Sequence, residues 1–316
     1  MTHVPSLRRL LCLLALVAVV LPAASAADRR PGAARVYTLL PASGNPEGVA
    51  FDRRSGFFYV SDSTNGGIYR GTLDDPVVHP YLPAGQDGRT AAAGLEVDNR
   101  GRLYVAGAGT GSLFVYDTRS GRLLGRFDTG AGGFLNDIAI ARNGDVYVTD
   151  SLRPFLYRVR GASVDAGAGP VEAIPVEPEI QYLPGFNLNG IVPTDDGKAL
   201  IVVQTNTGKL FRIEPTASPA VRTIREIVVD GGPLTNGDGL LLDGNELLVV
   251  QNQQELLTQV KLSRRGDRGV VEERTTDPTF KTPTTVAEAR DRLLVVNSEF
   301  FETDGPPYTV SAVREP

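Results

Sequence analysis

Hydrophobic and polar positions alternate along this chain in short runs. After residue 35 no segment sustains a 3.6-residue period. Apolar stretches rich in Val, Leu, Ile and Tyr are instead separated by Gly, Pro, Asn and Asp. Alternation on that scale suits strands with one buried face and predicts an all-β chain. One motif recurs: a short apolar strand, a tight polar turn, then a second apolar strand ending on a polar residue. It occupies Glu47–Asp62, Ala93–Gly107, Asn136–Asp150, Asn189–Gln204, Asp238–Gln251 and Thr284–Asn297. The starts lie 46, 43, 53, 49 and 46 residues apart, which matches the ~40–50-residue period of a four-stranded propeller blade.

The turns support that register. Hairpin midpoints fall on Arg54-Ser55, Arg100-Gly101, Asn143-Gly144, Asp196-Gly197, Gly244-Asn245 and Arg290-Asp291. Asn-Gly and Asp-Gly supply the positive φ angles that two-residue hairpin turns require. Strand ends repeat as well: Tyr59-Val60-Ser61-Asp62 parallels Tyr147-Val148-Thr149-Asp150. A ring of blades must close, and residues 36–40 read as a strand able to join Tyr308–Val313. The expected fold is a six-bladed β-propeller of four-stranded blades around a central channel, forming a single domain over residues 36–316. The long stretch Gly161–Phe186 is expected to hold outer strands and a loop over the channel mouth.

The N-terminus has a different character. Arg8 and Arg9 precede an apolar run from Leu10 to Leu21, followed by Ala24-Ser25-Ala26. A basic start, a short apolar run and an A-x-A site predict an export signal over residues 1–26, with a short linker over 27–35. The run is too short for a comfortable membrane span. A secreted or periplasmic protein, off the membrane once the signal is cleaved, is the expectation. The single cysteine, Cys12, lies inside that run, so the mature chain has neither a disulfide nor a thiolate metal cluster. With a net charge of −5 there is no basic footprint for nucleic acid. The expected partner is a small-molecule substrate, and the expected state is a monomer.

Stacking the hairpins by their first strands aligns Glu47, Ala93, Asn136, Asn189, Asp238 and Thr284. In a propeller the first strand of each blade lines the channel, so this column converges on the axis at one depth. Two carboxylates and two amides there suit a hard cation, and Ca²⁺ takes 6–8 oxygen ligands. Zn²⁺ would want imidazole or thiolate, and only His79 lies beyond the leader. Asn and Asp at strand starts also satisfy turn backbone without any metal, but four coincident positions in an independently set register favour the cation site. Opposite this column, at the same end, stand Asp62, Gly107, Asp150, Gln204, Gln251 and Asn297. All but Gly107 are polar, expected either to orient ligands or to end their strands in solvent.

These residues carry a resemblance. Pro46-Glu47-Gly48, Leu135-Asn136-Asp137, Leu188-Asn189-Gly190-Ile191 and Gly237-Asp238-Gly239 resemble the SMP-30/gluconolactonase/paraoxonase-like family of six-bladed propellers, over essentially the whole mature chain. In that family Glu, Asn, Asn and Asp hold a channel calcium, which implies Glu47, Asn136, Asn189 and Asp238 as its ligands here. The family hydrolyses lactones, aryl esters or organophosphates, and the resemblance implies a similar activity. The paraoxonase branch uses a histidine pair near its calcium and an Asn after the Asp; here His79 sits away from the repeat's site end and Gly239 follows Asp238. The sugar-lactonase branch often has an arginine two residues before the first Asn, where this chain has Phe134. A substrate less polar than a sugar lactone is therefore expected.

Phe134, Phe186, Phe300 and Phe301 stand beside the site end of their blades, as the walls of an apolar pocket or as plugs between blades. No Gly-x-Ser-x-Gly elbow, dinucleotide fingerprint or P-loop occurs, so no organic cofactor is expected. What remains is metal-assisted hydrolysis. Asp238 is the expected base or nucleophile, Glu47 the second candidate base, and Asp137 a supporting acid. A non-catalytic propeller with a structural calcium is the alternative.

Overall fold

Twenty-four strands follow one another in the described residues, almost all paired with their neighbours in sequence. The structure, a computed structural model, describes Met1 and residues 35–41, 44–220, 222–303 and 305–315. The expected leader apart from Met1, and the linker apart from Arg35, lie outside the described residues.

The chain enters through β1 (Arg35–Leu39) and then runs through antiparallel meanders of four strands. The first is β2 (Pro46–Asp52), β3 (Phe57–Asp62), β4 (Ile68–Thr72) and β5 (Val77–Leu82). The second is β6 (Leu95–Val97), β7 (Arg102–Ala106), β8 (Ser112–Asp117) and β9 (Leu123–Asp128). The third is β10 (Leu135–Ile140), β11 (Val146–Asp150), β12 (Phe155–Val159) and β13 (Val171–Pro175), with a short helix, α1 (Gly161–Ala166), before its outer strand. The fourth is β14 (Leu188–Pro193), β15 (Leu200–Gln204), β16 (Lys209–Pro215) and β17 (Arg222–Asp230). The fifth is β18 (Gly237–Asp243), β19 (Glu246–Gln251), β20 (Leu256–Leu262) and β21 (Arg268–Thr275). The last has only three strands of its own, β22 (Pro283–Ala289), β23 (Arg292–Asn297) and β24 (Thr309–Val313).

β1 supplies the missing fourth strand. It lies antiparallel to β24, with Tyr37 opposite Val310, so the start of the described chain completes the sheet at its end. Outer strands also pair in parallel, β1 with β5 and β17 with β21, fusing two pairs of meanders into eight-stranded sheets. No described helix is long and apolar enough to cross a membrane.

The turns differ in part from the expectation. Two-residue turns do form at Gly244-Asn245 and Arg290-Asp291, between the pairs Asp243–Glu246 and Ala289–Arg292. The Asn143-Gly144 turn is wider. Gly144 donates its N–H to the Ala141 carbonyl at 2.8 Å and takes a φ of +84°. This is the longer hairpin loop in which glycine occupies only the left-handed position.

The core lies between neighbouring meanders. Tyr59 of the first packs with Leu103 and Phe114 of the second, Tyr104 of the second with Val148 of the third, and Tyr147 of the third with Val202 and Phe211 of the fourth. Val203 then meets Leu247, Leu248 meets Leu293, and Leu294 and Val296 return to Phe58 and Val60. Each sheet therefore buries both faces, which explains why the second strands read as nearly continuous apolar runs.

Candidate metal centre

Five of the six first hairpins carry a bulge at the same place. The register slips between Pro46 and Val49, Leu135 and Ile138, Leu188 and Ile191, Gly237 and Leu240, and Pro283 and Val286. The displaced pairs are Glu47-Gly48, Asn136-Asp137, Asn189-Gly190, Asp238-Gly239 and Thr284-Thr285. An extra residue in one strand bends it and re-aims its side chains, and here it does so at the expected ligand column. The second hairpin has no such slip, and its counterpart there is Ala93.

Glycines let the bulged segments approach. A Cβ on Gly48 would lie 2.5 Å from the Ala93 carbonyl oxygen, and one on Gly94 would lie 2.6 Å from that of Asn136. On Gly190 it would collide with the Asp238 carbonyl oxygen, and on Gly239 it would lie 2.9 Å from that of Thr284. The close approach thus runs from strand to strand, bringing the ligand column toward one axis.

Glu47, Asn136, Asn189 and Asp238 are all buried, at 4–6% exposure. Two of their oxygens, Glu47 Oε2 and Asn136 Oδ1, have no hydrogen-bond partner. An unsatisfied buried oxygen is costly and calls for an explanation. Asp238 lies beside the Asn189 amide, and its Oδ2 accepts a bond from Asn252 Nδ2 at 2.9 Å. Burial, and then the charges of Asp238 and Asp137, push the Glu47 carboxyl well above the usual range. Burial and Asp137 push Asp238 up to about 7, against the Asn252 hydrogen bond that lowers it. Uncompensated, these groups repel; a divalent cation would remove the repulsion and satisfy both orphaned oxygens. The residues fit a hard cation. Among the described residues no three His, Cys, Asp or Glu side chains form a metal-holding group on their own, so such a site depends on its two amides.

Asp137 is buried beside this set. Its carboxylate accepts N–H bonds from Ile138 at 2.9 Å and Ile191 at 3.1 Å, and burial outweighs them to raise it to about 7. Glu96, on β6, is raised to about 8 by burial and by the charge of Asp137. Sequence reasoning missed Glu96, although a lone carboxylate between Leu95 and Val97 in an apolar strand was its signal. Both line a cavity of about 490 Å³ walled by all six first strands, among them Val49, Ile138, Ile191 and Leu240. It opens among the hairpin turns at Arg54, Asn99 and Asp195.

The expected orienting column has other work in the structure. Asp62, Asp150, Gln204, Gln251 and Asn297 lie across from Pro46, Leu135, Leu188, Gly237 and Pro283, one residue before the ligand column. Asp62 accepts the Thr64 and Asn65 N–H groups, and Asp150 those of Phe134, Leu152 and Arg153. Gln204 donates to the Gln181 carbonyl, Gln251 to that of Thr235 and Asn297 to that of Thr279. These bonds tie down loops. The residue after each strand end is the one bonded to the column: Asn136 Nδ2 donates to Ser151 Oγ at 2.9 Å and Asn189 Nδ2 to Thr205 Oγ1 at 3.1 Å.

The aromatic side chains divide. Phe134, half-buried, meets Phe186 edge-on with ring centroids 4.9 Å apart. Phe186, on the loop after β13, is 44% exposed. Phe300 and Phe301 are exposed on a separate loop after β23. His79 is exposed on β5, 3.8 Å from Asp75, as a surface residue.

No protein-family model matches the chain, and no curated protein matches it in sequence. Solved structures do match. Regucalcin, a calcium-binding protein from Agrobacterium tumefaciens, aligns with a TM-score of 0.62 at 18% identity, over 88% of this chain and 97% of that one. A protein proposed to be a gluconolactonase aligns at 0.64 with 15% identity, over 90% and 93%. Virginiamycin B lyase from Staphylococcus aureus aligns at 0.59 with 11% identity, over 90% and 99%. The chain has a β-propeller fold. At these identities the likeness is one of fold, and it includes neighbours of the SMP-30/gluconolactonase kind.

Proposed function

We propose that the chain is a six-bladed propeller acting as a calcium-dependent hydrolase of a lactone or ester less polar than a sugar lactone. The observation that carries this reading is the pair of buried, unpartnered oxygens, Glu47 Oε2 and Asn136 Oδ1, beside the carboxylate of Asp238. A calcium-binding protein and a proposed gluconolactonase among the structural neighbours support it.

Glu47, Asn136, Asn189 and Asp238 would hold the cation. When bound, it supplies charge compensation and Lewis-acid polarisation of the substrate's acyl oxygen. Asp238 takes the proton from the attacking water as that water's oxygen displaces the alkoxide from the acyl carbon, or Asp238 displaces the alkoxide itself and the resulting acyl-carboxylate is then hydrolysed by water. Asn252 anchors Asp238 Oδ2, leaving Oδ1 for either role. Glu47 is the second candidate base. Phe134 and Phe186 form the apolar wall against which the substrate's organic portion packs. On this reading residues 1–26 are an export signal, and the mature protein works outside the cytoplasm as a monomer on a small molecule.

The test is hydrolysis of a panel of phenyl acetate, aliphatic γ- and δ-lactones, gluconolactone and a phosphotriester. Each is assayed with calcium, with chelator and with calcium restored. Activity that disappears with chelator and returns with calcium, strongest on an aliphatic lactone or ester, is the expected result. Calcium-dependent melting without turnover of any substrate would instead make the protein a binding module with a structural ion. A product lacking added water would assign it to elimination, the chemistry that the name of virginiamycin B lyase describes for that neighbour.

A further inference from the structure

Three hydrogen bonds fix one edge of Asn136, Asn189 and Asp238, three of the four residues expected to hold the cation. Ser151 Oγ lies 2.7 Å from the Leu188 carbonyl oxygen and 2.9 Å from Asn136 Nδ2. A hydroxyl has one proton, and a carbonyl can only accept. The Ser151 proton therefore goes to Leu188, and only lone pairs remain to meet Asn136. The amide must turn its NH₂ edge to Ser151, which leaves Oδ1 as the edge without a partner. The arrangement repeats one meander later. Thr205 Oγ1 donates to the Gly237 carbonyl at 2.8 Å and accepts from Asn189 Nδ2 at 3.1 Å. In the next, Asn252 Nδ2 donates to Asp238 Oδ2.

Ser151, Thr205 and Asn252 occupy one position of the repeat, immediately after β11, β15 and β19. The second meander, with Ala93 in place of a ligand, has Ala108 at the position equivalent in register, two residues after β7. The carbonyls that receive the two hydroxyl protons belong to Leu188 and Gly237, the residues just before Asn189 and Asp238. Each hydroxyl therefore fixes the amide of its own meander and holds the next ligand's strand in register.

We propose that Ser151 and Thr205 are positioning residues that set the amide polarity of Asn136 and Asn189, so that oxygen rather than NH₂ is presented to a hard cation. The inference rests on the cation-site reading above. Without the hydroxyl the amide is free to flip, and a flipped amide repels the ion.

The experiment is calcium titration of the purified full chain by calorimetry, with terbium luminescence as a second reporter, for wild type and variants. Ser151→Ala and Thr205→Ala are expected to weaken calcium binding about 10–100-fold, the usual effect of removing a group that orients a metal ligand. Ser151→Thr and Thr205→Ser, which keep the hydroxyl, are expected to bind within a few-fold of wild type. Melting in chelator controls for folding. Should an alanine variant not fold, Ser151→Cys keeps the volume with a far weaker acceptor and is expected to show the same loss.

Alanine variants that bind calcium like wild type overturn the proposal, as does a Ser151→Thr variant as weak as Ser151→Ala. Failure of both the alanine and cysteine variants to fold would mark a purely structural role and overturn it too. Wild type that binds no cation overturns the site reading along with it. Wild type that binds calcium but hydrolyses nothing removes the hydrolase reading alone.

Discussion

The hydroxyl of Thr284 donates a hydrogen bond to the main-chain oxygen of Glu47 at 2.7 Å, across 237 positions of sequence. Thr284 is fully buried and stands in the ligand column, yet it serves to join the last meander to the first. Thr284→Val keeps the shape and removes the donor. With the Glu47 carbonyl left unsatisfied, the cost is expected to be roughly 1–3 kcal/mol. Urea denaturation in chelator measures it, and Thr284→Ser is expected to recover most of the loss.

The carboxyls of this cluster predict a stability profile of definite sign. Asp137 and Asp238 are raised to about 7, Glu96 to about 8, and Glu47 upward as well. Unfolded carboxyls titrate near ~4. Between those values the folded chain holds protons that the unfolded chain has released, so stability in chelator falls as pH rises from about 5 through 8. The slope is on the order of 1.4 kcal/mol per pH unit for each carboxyl titrating. Calcium favours the ionised forms, so its stabilising effect is expected to be larger at pH 8 than at pH 5.5. Melting curves in chelator and in calcium at both values decide it; a chelated protein that gains stability toward pH 8 contradicts the assignment.

Asp238 carries the chemistry in the proposed reaction, and Asp238→Asn separates that role from folding. The amide is nearly isosteric and uncharged, and burial already favours a neutral group at this position. Melting in chelator is therefore expected to hold or rise, while turnover falls at least ~100-fold, the lower range for loss of a positioned proton acceptor. Retention of most activity would remove Asp238 as base and leave Glu47 as the candidate.

Much of this was legible in the sequence, and the part that was not has a physical cause. The repeat period, the first hairpins and the closing strand near residues 36–40 all follow from alternation and turn chemistry, which are local. That Glu47, Asn136, Asn189 and Asp238 share one buried position was legible because they sit at one offset from the first core residue of their strands. That Ser151 and Thr205, rather than Asp150 and Gln204, bond Asn136 and Asn189 was not legible. A bulge adds a residue to one strand only, and nothing in an alternating pattern marks it. The polar strand ends that drew notice, Asp62 and Asp150, bond to loop N–H groups. Glu96 escaped because the column holds Ala93 in its hairpin, and its relation to Asp137 exists only across strands.

The glycines beside the ligands set how closely the first strands approach. Gly48 has no left-handed φ, so alanine there tests space alone. Its Cβ would lie 2.5 Å from the Ala93 carbonyl oxygen and 3.0 Å from the Gly94 Cα, both backbone atoms with little room to yield. Gly48→Ala is expected to cost about 1–3 kcal/mol, the usual penalty of overpacking. It should also weaken calcium binding, because Glu47 is the residue displaced. Gly85 has no heavy atom within 4 Å of a built Cβ but takes a φ of +70°, so Gly85→Ala strains the backbone without crowding and should leave calcium affinity unchanged. Calorimetry on the two variants distinguishes close approach from general destabilisation.

Phe134 and Phe186 make the specificity test. Phe134 is fixed from behind, its N–H donating to Asp150 Oδ1 at 3.0 Å, and it meets Phe186 edge-on. In the proposed function a wall held this way would contact the substrate's organic portion and leave the reacting bond alone. Truncating Phe186 to alanine should therefore lower kcat/KM for longer-chain lactones relative to short ones. Each methylene lost from contact is worth ≈ 1–3 kcal/mol, or about 10–200-fold at most. Phe134→Arg replaces apolar surface with a donor, and should shift the ratio of kcat/KM toward gluconolactone over an aliphatic lactone. Equal effects on short and long substrates would mean that the pair only braces the loop after β13, and the apolar pocket would have to be sought at Phe300.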